Sequence, residues 1–241
     1  HPDRFGAFAA LPMSSPAVAA EELRRAIEGL GLHGAMIQGH TRGTFLDDLA
    51  FDPVLAAAAA LQVPIYLHPG PPPETVRLAY FNGLDPVAAA MLATAGWGWH
   101  AECGLHVLRM VLAGVFERHP QLTLITVESG VGWVPWMLEA MDHSYRAHHM
   151  WVRPVIPEPP SFYYRRNCLS TFTEDHAGLR LVEELDLVEN FLWSNDYPHH
   201  EGTWPHSAEA IERTMGHLSD GARAKVLGLN AARLFGFEVR A

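Results

Sequence analysis

The sequence has only two cysteines, Cys103 and Cys168, which lie far apart and outside any CxxC pattern. This spacing argues against a disulfide framework and against a thiolate zinc site. We therefore expect a protein of the reducing cytoplasm.

Basic residues are also scarce. Lys and Arg total 17 against 27 Asp and Glu, which gives a formal charge of −10, and no basic cluster interrupts this balance. Such a chain is a poor partner for nucleic acid or for an anionic membrane. The longest apolar stretch, residues 54–67, is interrupted by Gln62 and Pro64 and is too short to span a bilayer about 30 Å thick. We expect no nucleic-acid partner and no membrane partner.

Phosphate-binding glycine motifs are lacking where a nucleotide fold needs them, since no GxGxxG or GxxxxGK[ST] pattern opens any of the predicted helices. What the sequence does contain is an alternation of short apolar runs with longer segments of helical spacing. Six runs are predicted strands: Ala7–Leu11, Gly34–Gln38, Pro64–His68, Leu122–Glu128, Cys168–Phe172 and Phe191–Ser194. This α/β alternation is typical of either a closed barrel or a doubly wound sheet. Because no such motif stands at the start of a helix, the TIM-type barrel is favoured.

The segments between the strands complete this architecture. An N-cap followed by proline marks three helix starts, at Ser15-Pro16, Asp52-Pro53 and Asp85-Pro86. A longer helix is predicted over Glu102–Arg118. Two segments rich in proline and aromatic residues, Gly70–Gly83 and Arg153–Arg166, are predicted active-site loops. We find no internal boundary, and expect residues 1–241 to form a single barrel domain.

Polar residues stand at the ends of three predicted strands. His68 follows Ile65-Tyr66-Leu67, and Asp196 follows the strand that begins at Phe191. The carboxyl ends of barrel strands carry catalytic groups, and an imidazole with a carboxylate is a reasonable ligand pair for a zinc-like divalent ion. Glu128 follows a third strand and is a candidate acid, base or substrate-orienting carboxylate. The alternative is that each residue merely caps a strand or a helix.

Further candidates lie in the loops. His199 and His200 follow Asp196. Both are candidates for a substrate contact, and His199 is expected to orient the substrate. His100, Trp97, Trp99 and Tyr80, together with Phe81, are expected to contact a substrate or wall its pocket, although aromatic residues more often only pack. Ser129 is not expected to be a nucleophile, because the first glycine of a GxSxG elbow is absent.

Four strings in this order resemble the amidohydrolase-related family, which includes aminocarboxymuconate-semialdehyde decarboxylase and γ-resorcylate decarboxylase. They are Tyr66-Leu67-His68-Pro69, the segment 114–120 (GVFERHP), the segment 128–135 (ESGVGWVP), and the segment 194–199 (SNDYPH). The similarity covers essentially the whole chain and is specific for the family, though not for a substrate.

The resemblance implies a (β/α)8 barrel with a divalent metal, most often zinc, held by an Asp/Glu-x-His pair from the first strand, by a His after the fifth and by an Asp after the eighth. His68 and Asp196 match the last two positions. The first-strand pair has no match, and the chain starts at His1, so we expect the first two strands and the natural N-terminus to be missing. The decarboxylases also carry a catalytic His after the sixth strand, where this sequence has Glu128-Ser129.

These observations predict a metal-dependent carboxy-lyase or hydrolase for a small carboxylated, aromatic substrate. His68 and Asp196 would bind the metal, Asp196 would also shuttle a proton, and Glu128 and His199 would act on the substrate. The resemblance favours decarboxylation, whereas the missing sixth-strand His favours hydrolysis. A different alternative is a non-catalytic barrel fragment that serves as a binding or structural module. A homodimer is a further expectation.

Overall fold

The computed structural model describes residues 1, 3–153 and 155–239. The expected single domain therefore includes four residues, Pro2, Pro154, Arg240 and Ala241, that lie outside the described residues. All six predicted strands are present within it. Their bounds are β1 Ala9–Ala10, β2 Ala35–Gln38, β3 Ile65–His68, β4 Leu124–Thr126, β5 Cys168–Phe172 and β6 Phe191–Trp193.

The strands form one parallel sheet in which each strand pairs with its neighbours in the sequence, in the order β1 to β6. The register places Ala35 opposite Ile65, Ile65 opposite Leu124, and Ser170 opposite Phe191. This sequential order is that of a (β/α) barrel, because a doubly wound sheet reverses its order at a switch point. As expected, β1 and β6 each pair on one side only within the described part of the chain.

Helices connect the strands and pack mainly on one face of the sheet, whereas the last of them covers part of the other face. Their bounds are α1 Pro16–Arg24, α2 Asp52–Leu61, α3 Glu74–Phe81, α4 Pro86–Met91, α5 Gly98–Leu112, α6 Val115–Arg118, α7 Trp133–Ala147, α8 His149–Val152, α9 Pro160–Asn167, α10 His176–Arg180, α11 Ser207–Met215, α12 Asp220–Ala224 and α13 Asn230–Phe235. None of the helices in the described residues is both long enough and apolar enough to cross a membrane.

Two loop predictions and one helix prediction need correction. The segments Gly70–Gly83 and Arg153–Arg166 were expected to be irregular, but they contain α3 and most of α9. In both cases a proline-rich stretch ends at the first turn of the helix, where proline is tolerated because its missing N–H would be unbonded anyway. The helix predicted over Glu102–Arg118 begins earlier, at Gly98, and is divided at Gly114, whose φ of +69° ends the helical path.

The two faces of the sheet are packed differently. Leu124 and Phe191 point outward and belong to a large apolar core shared with the helices. On the inner face, Ile125, Val127 and Leu192 form a small buried cluster that Leu234 and Phe235 of α13 cover. Side chains alternate between faces along a strand, so the inner positions nearer the carboxyl ends remain available for a site.

Candidate active site

The carboxyl ends of β3 and β4 bring His68 and Glu128 together. His68 Nε2 lies 3.0 Å from Glu128 Oε2, and His68 Nδ1 lies 2.7 Å from the carbonyl oxygen of Pro69. Because a carbonyl oxygen only accepts hydrogen bonds, Nδ1 is the nitrogen that donates. This leaves Nε2 directed at the carboxylate, so the two side chains share either a proton or another cation.

The pKa values of this pair move in opposite directions. The hydrogen bond to Glu128 raises the pKa of His68, although burial opposes the shift. The same bond lowers the pKa of Glu128, again against the effect of burial. The structure thus favours an ionised carboxylate beside a positively charged partner.

Asp196, three residues after β6, forms the other half of the site. Its Oδ1 lies 3.0 Å from His199 Nδ1, and this contact raises the pKa of His199. The Asp196 side chain is 16% exposed and that of His199 is 57% exposed. The carboxylate is therefore recessed, while its histidine partner faces solvent at the mouth of the site.

Both carboxylates sit on unusual backbone. Glu128 has φ +50° and Asp196 has φ +57°, in the left-handed region that residues other than glycine rarely adopt. Such conformations persist where the surrounding structure enforces them, and they concentrate at functional sites. In this chain the effect is to turn each carboxylate toward the inner face just beyond its strand.

A set of hydrogen bonds fixes the turn that follows Glu128. The Asp175 carboxylate accepts bonds from Val131 N and Gly132 N, both at 2.7 Å, and from Gly178 N at 2.9 Å. Asp175 thereby ties the turn after β4 to the N-terminus of α10. From the other side, His100 Nδ1 donates to the carbonyl oxygen of Ser129.

A cavity of about 260 Å³ opens over these groups. Glu128, Asp196, His100, Trp99 and Tyr66 are among its lining residues. Burial, assisted by the negative charges of Glu128 and Asp196, raises the pKa of Tyr66 to about 12, so its hydroxyl stays protonated and can donate a hydrogen bond. The cavity combines aromatic walls with carboxylates that converge from two strand ends, as in many small-molecule sites.

The structure does not bring every predicted residue to this cavity. Tyr80, Phe81 and Trp97 line a separate cavity, because the helical path of α3 and the turn before α5 carry their rings away from the strand ends. His200 is 95% exposed, and its nearest acidic partner is Glu201 at 3.6 Å. The structure therefore does not bring Tyr80, Trp97 or His200 to the cavity that Asp196 lines.

Several residues that line the cavity over Glu128 and Asp196 were not predicted from the sequence. Tyr66 lies two positions before His68 and shares its face of β3, which the alternation of strand side chains could have indicated. Thr171 and Ser194 line the cavity in the same way from β5 and from the end of β6. Asp175 gave no comparable signal, since its role depends on a turn formed more than 40 residues earlier in the chain.

The donor atoms here suit a divalent metal ion. Among the described residues, Glu128, Asp196 and His199 each offer a ligand atom, and these atoms lie within 4.8 Å of one another. His68 is outside that set, but its Nε2 faces Glu128. Carboxylate oxygens and imidazole nitrogens are donors that both manganese and zinc accept, so the residues present fit such an ion.

Comparison with known proteins places the chain in a family. The sequence matches the amidohydrolase family over residues 1–237. It is 45% identical to the decarboxylase orsB of Emericella nidulans over 202 residues, which are 82% of this chain and 59% of that protein. It is 32% identical to the γ-resorcylate decarboxylase of Rhodococcus jostii, covering 97% of this chain and 71% of that protein. The chain belongs to the amidohydrolase family, as its motifs predicted.

The fold agrees with this assignment. A dihydroxybenzoic acid decarboxylase from a Polaromonas species, solved with manganese and the inhibitor 2-nitroresorcinol, superposes with a TM-score of 0.78. The two are 28% identical, and the match covers 98% of this chain and 70% of that one. The chain therefore spans between three fifths and three quarters of the length of these relatives.

Proposed function

We propose that this chain carries the catalytic face of a metal-dependent decarboxylase that releases carbon dioxide from a small hydroxylated aromatic carboxylate. The observation that carries the proposal is the convergence of His68, Glu128, Asp196 and His199 at the carboxyl ends of β3, β4 and β6. The relatives named as decarboxylases of resorcylate and dihydroxybenzoate support the substrate class.

We propose that Asp196, Glu128 and His68 would hold the metal, His68 through Nε2, which leaves His199 for proton transfer. When bound, a divalent ion would orient the substrate and withdraw charge from its oxygen atoms. Tyr66 and Trp99 would enclose the aromatic ring, and His100 would contact its edge. Zinc is our proposal for the ion, although the Polaromonas relative contains manganese.

The reaction needs one proton, which is added to the ring carbon while the carbon–carbon bond to the carboxylate breaks and carbon dioxide leaves. Asp196 lies in the cavity and is bonded to His199, which faces solvent. We propose that Asp196 delivers the proton and that His199 replenishes it. Glu128 lines the same cavity and would orient the ring by accepting a hydrogen bond from a hydroxyl group of the substrate.

Hydrolysis is the second candidate. It is favoured by Glu128-Ser129, which stand where the decarboxylases carry a His after the sixth strand, and by the place of the Glu128 carboxylate in the cavity, where it could act as a general base toward water. A non-catalytic binding fragment is the third. Product analysis separates the three candidates, since γ-resorcylate would yield carbon dioxide and resorcinol, an ester or lactone would yield an acid, and a binding module would yield neither.

The decisive experiment is to assay γ-resorcylate turnover with manganese or zinc added, and to measure metal content in parallel. We expect metal-dependent carbon dioxide release that is lost in Asp196→Asn. Unchanged metal content and unchanged rate in that variant would refute the assignment of Asp196. Hydrolysis of esters without any carbon dioxide release would replace the lyase proposal with the second candidate.

We further propose a cytoplasmic location and a homodimer. Both cysteines are buried and unbridged, which is compatible with a reducing compartment. Light scattering of the purified chain tests the homodimer, and a monomer at micromolar concentration would reject it.

A further inference from the structure

A second cavity of about 370 Å³ lies between α3, α5 and the segment that precedes α2. Four aromatic side chains line it: Phe45, Tyr80, Phe81 and Trp97. Its size is in the ordinary range for small-molecule sites. It shares no lining residue with the cavity over Glu128 and Asp196, so the proposed reaction leaves it without a role.

One acidic side chain, Glu102 on α5, faces this aromatic enclosure. Glu102 is partly buried, and within residues 1, 3–153 and 155–239 no side-chain hydrogen bond or ion pair reaches its carboxylate. Burial alone raises the pKa of the group. A partly buried carboxylate without a partner loses part of its hydration, and a bound cation would offset that loss.

The guanidinium group that lies over the Phe45 ring is already neutralised by an acidic partner. The Arg109 guanidinium lies 4.7 Å from the centre of the Phe45 ring, and Asp47 holds it with two bonds of 2.7 and 2.8 Å. Arg109 therefore contacts the Phe45 ring but is paired with Asp47, whereas Glu102 has no such ion pair among the described residues. The whole chain is negative, at −10, which also favours a cationic ligand.

From these observations we propose that the cavity bounded by Phe45, Tyr80, Trp97 and Glu102 binds a small organic cation, an ammonium group attached to an apolar or aromatic body. The ammonium group would contact Glu102 and the faces of the rings, which attract cations through their quadrupoles. The body of the ligand would replace solvent along Phe81. Tyr80 and Trp97 are 77% and 55% exposed, so they form the rim through which the ligand enters.

The site has a defined relation to the catalytic cavity. Trp97 and Glu102 line the second cavity, whereas Trp99 and His100 line the catalytic one, and all four lie within one and a half turns at the start of α5. Occupation of the second cavity would therefore restrict the same helical turn that carries His100. The proposal itself concerns binding and holds whether or not the chain is a decarboxylase.

The test uses benzyltrimethylammonium as the probe and its uncharged carbon isostere, neopentylbenzene, as the matched ligand, both titrated into the whole chain by ligand-observed NMR. We expect the cation to bind at least about tenfold more tightly than the isostere. Glu102→Gln, which keeps the shape and removes the charge, should weaken cation binding at least about tenfold and leave the isostere unaffected. Trp97→Leu should weaken binding of both.

Two controls locate the site. Glu139→Gln removes one charge from an exposed position on α7 and should leave cation binding unchanged. Glu128→Gln tests the rival location, because the catalytic cavity is also acidic. The proposal is overturned if Glu102→Gln binds the cation like the unmodified chain, if the isostere binds as tightly, or if Glu128→Gln is the variant that loses binding. A circular dichroism melt of each variant confirms that it is folded.

Discussion

On the face of the sheet that the helices cover, Leu124 and Phe191 are fully buried in an apolar core, whereas on the opposite face Tyr66 and Ser194 line an open cavity. Two histidines show how different these surroundings are. Burial lowers the pKa of His106, on the helix side, to about 4, while Glu128 raises the pKa of His68 on the inner face. The outer face excludes charge and contributes stability, and the inner face assembles charge and carries the proposed chemistry.

The largest effect is expected on the inner face. Asp196→Asn should lower turnover by at least about 10³-fold, because it removes an anionic ligand and the proposed proton donor while keeping nearly the same shape. The melting temperature should change little. Steady-state kinetics and a thermal melt measure both quantities.

Asp186→Asn is the matched control for this variant. Asp186 also has a positive φ, +54°, but it lies in an exposed turn before β6. The same chemical change there should leave turnover within about twofold of the unmodified chain. Equal losses in the two variants would show that the effect comes from the backbone conformation and not from the site.

A substitution on the outer face should lower stability and leave turnover unchanged. Phe116 is fully buried between α6 and the helix-side core, so Phe116→Ala should lower the free energy of unfolding by about 3–5 kcal/mol. The folded fraction should keep its kcat. Urea unfolding gives the first quantity, and a kcat that falls in proportion to the lost stability would argue against separate roles for the two faces.

The outer face should also make the stability of the fold depend on pH. His106 Nε2 accepts a hydrogen bond from Leu46 N at 3.1 Å, and its pKa is lowered to about 4, first by burial. The unfolded chain takes up a proton near pH 6.5, whereas the folded chain does so only near pH 4. Stability should therefore fall as the pH drops through this window, by up to about 3 kcal/mol.

The variant His106→Gln tests that attribution, because its amide oxygen can still accept a bond and does not titrate. Urea unfolding at pH 7 and at pH 4.5 should show a smaller difference for the variant than for the unmodified chain. An identical difference in both would assign the acid sensitivity to other groups.

The smallest effect is expected between the two faces, at the turn that Asp175 fixes. Asp175→Ala removes three bonds to backbone N–H groups and should lower kcat roughly 10- to 100-fold, with a smaller change in KM, because Glu128 loses its fixed position. Asp175→Asn keeps one acceptor oxygen and should recover part of kcat. If both variants lose only stability, Asp175 is a helix cap and no more.

The strands and their order could be predicted from the sequence, because burial imposes a regular pattern on every strand. The ends of Ile65–His68 and Phe191–Trp193 were therefore found within a residue or two. The paths of the connections were less predictable. Nothing local indicates that α3 turns Tyr80 toward a second cavity, or that Asp175 reaches back to Val131, since both depend on how distant segments pack.

The connection between β3 and β4 has a consequence for chain entropy. Ile65 pairs with Ala35, 30 positions earlier, and with Leu124, 59 positions later. Closing a flexible loop of twice the length costs only about 0.6 kcal/mol more. The sheet can therefore carry the excursion of α3 and α4, in which Phe81 is the one buried residue, at little thermodynamic cost. Insertions, deletions and new side chains in these two helices can accumulate without displacing the strand ends that hold His68 and Glu128.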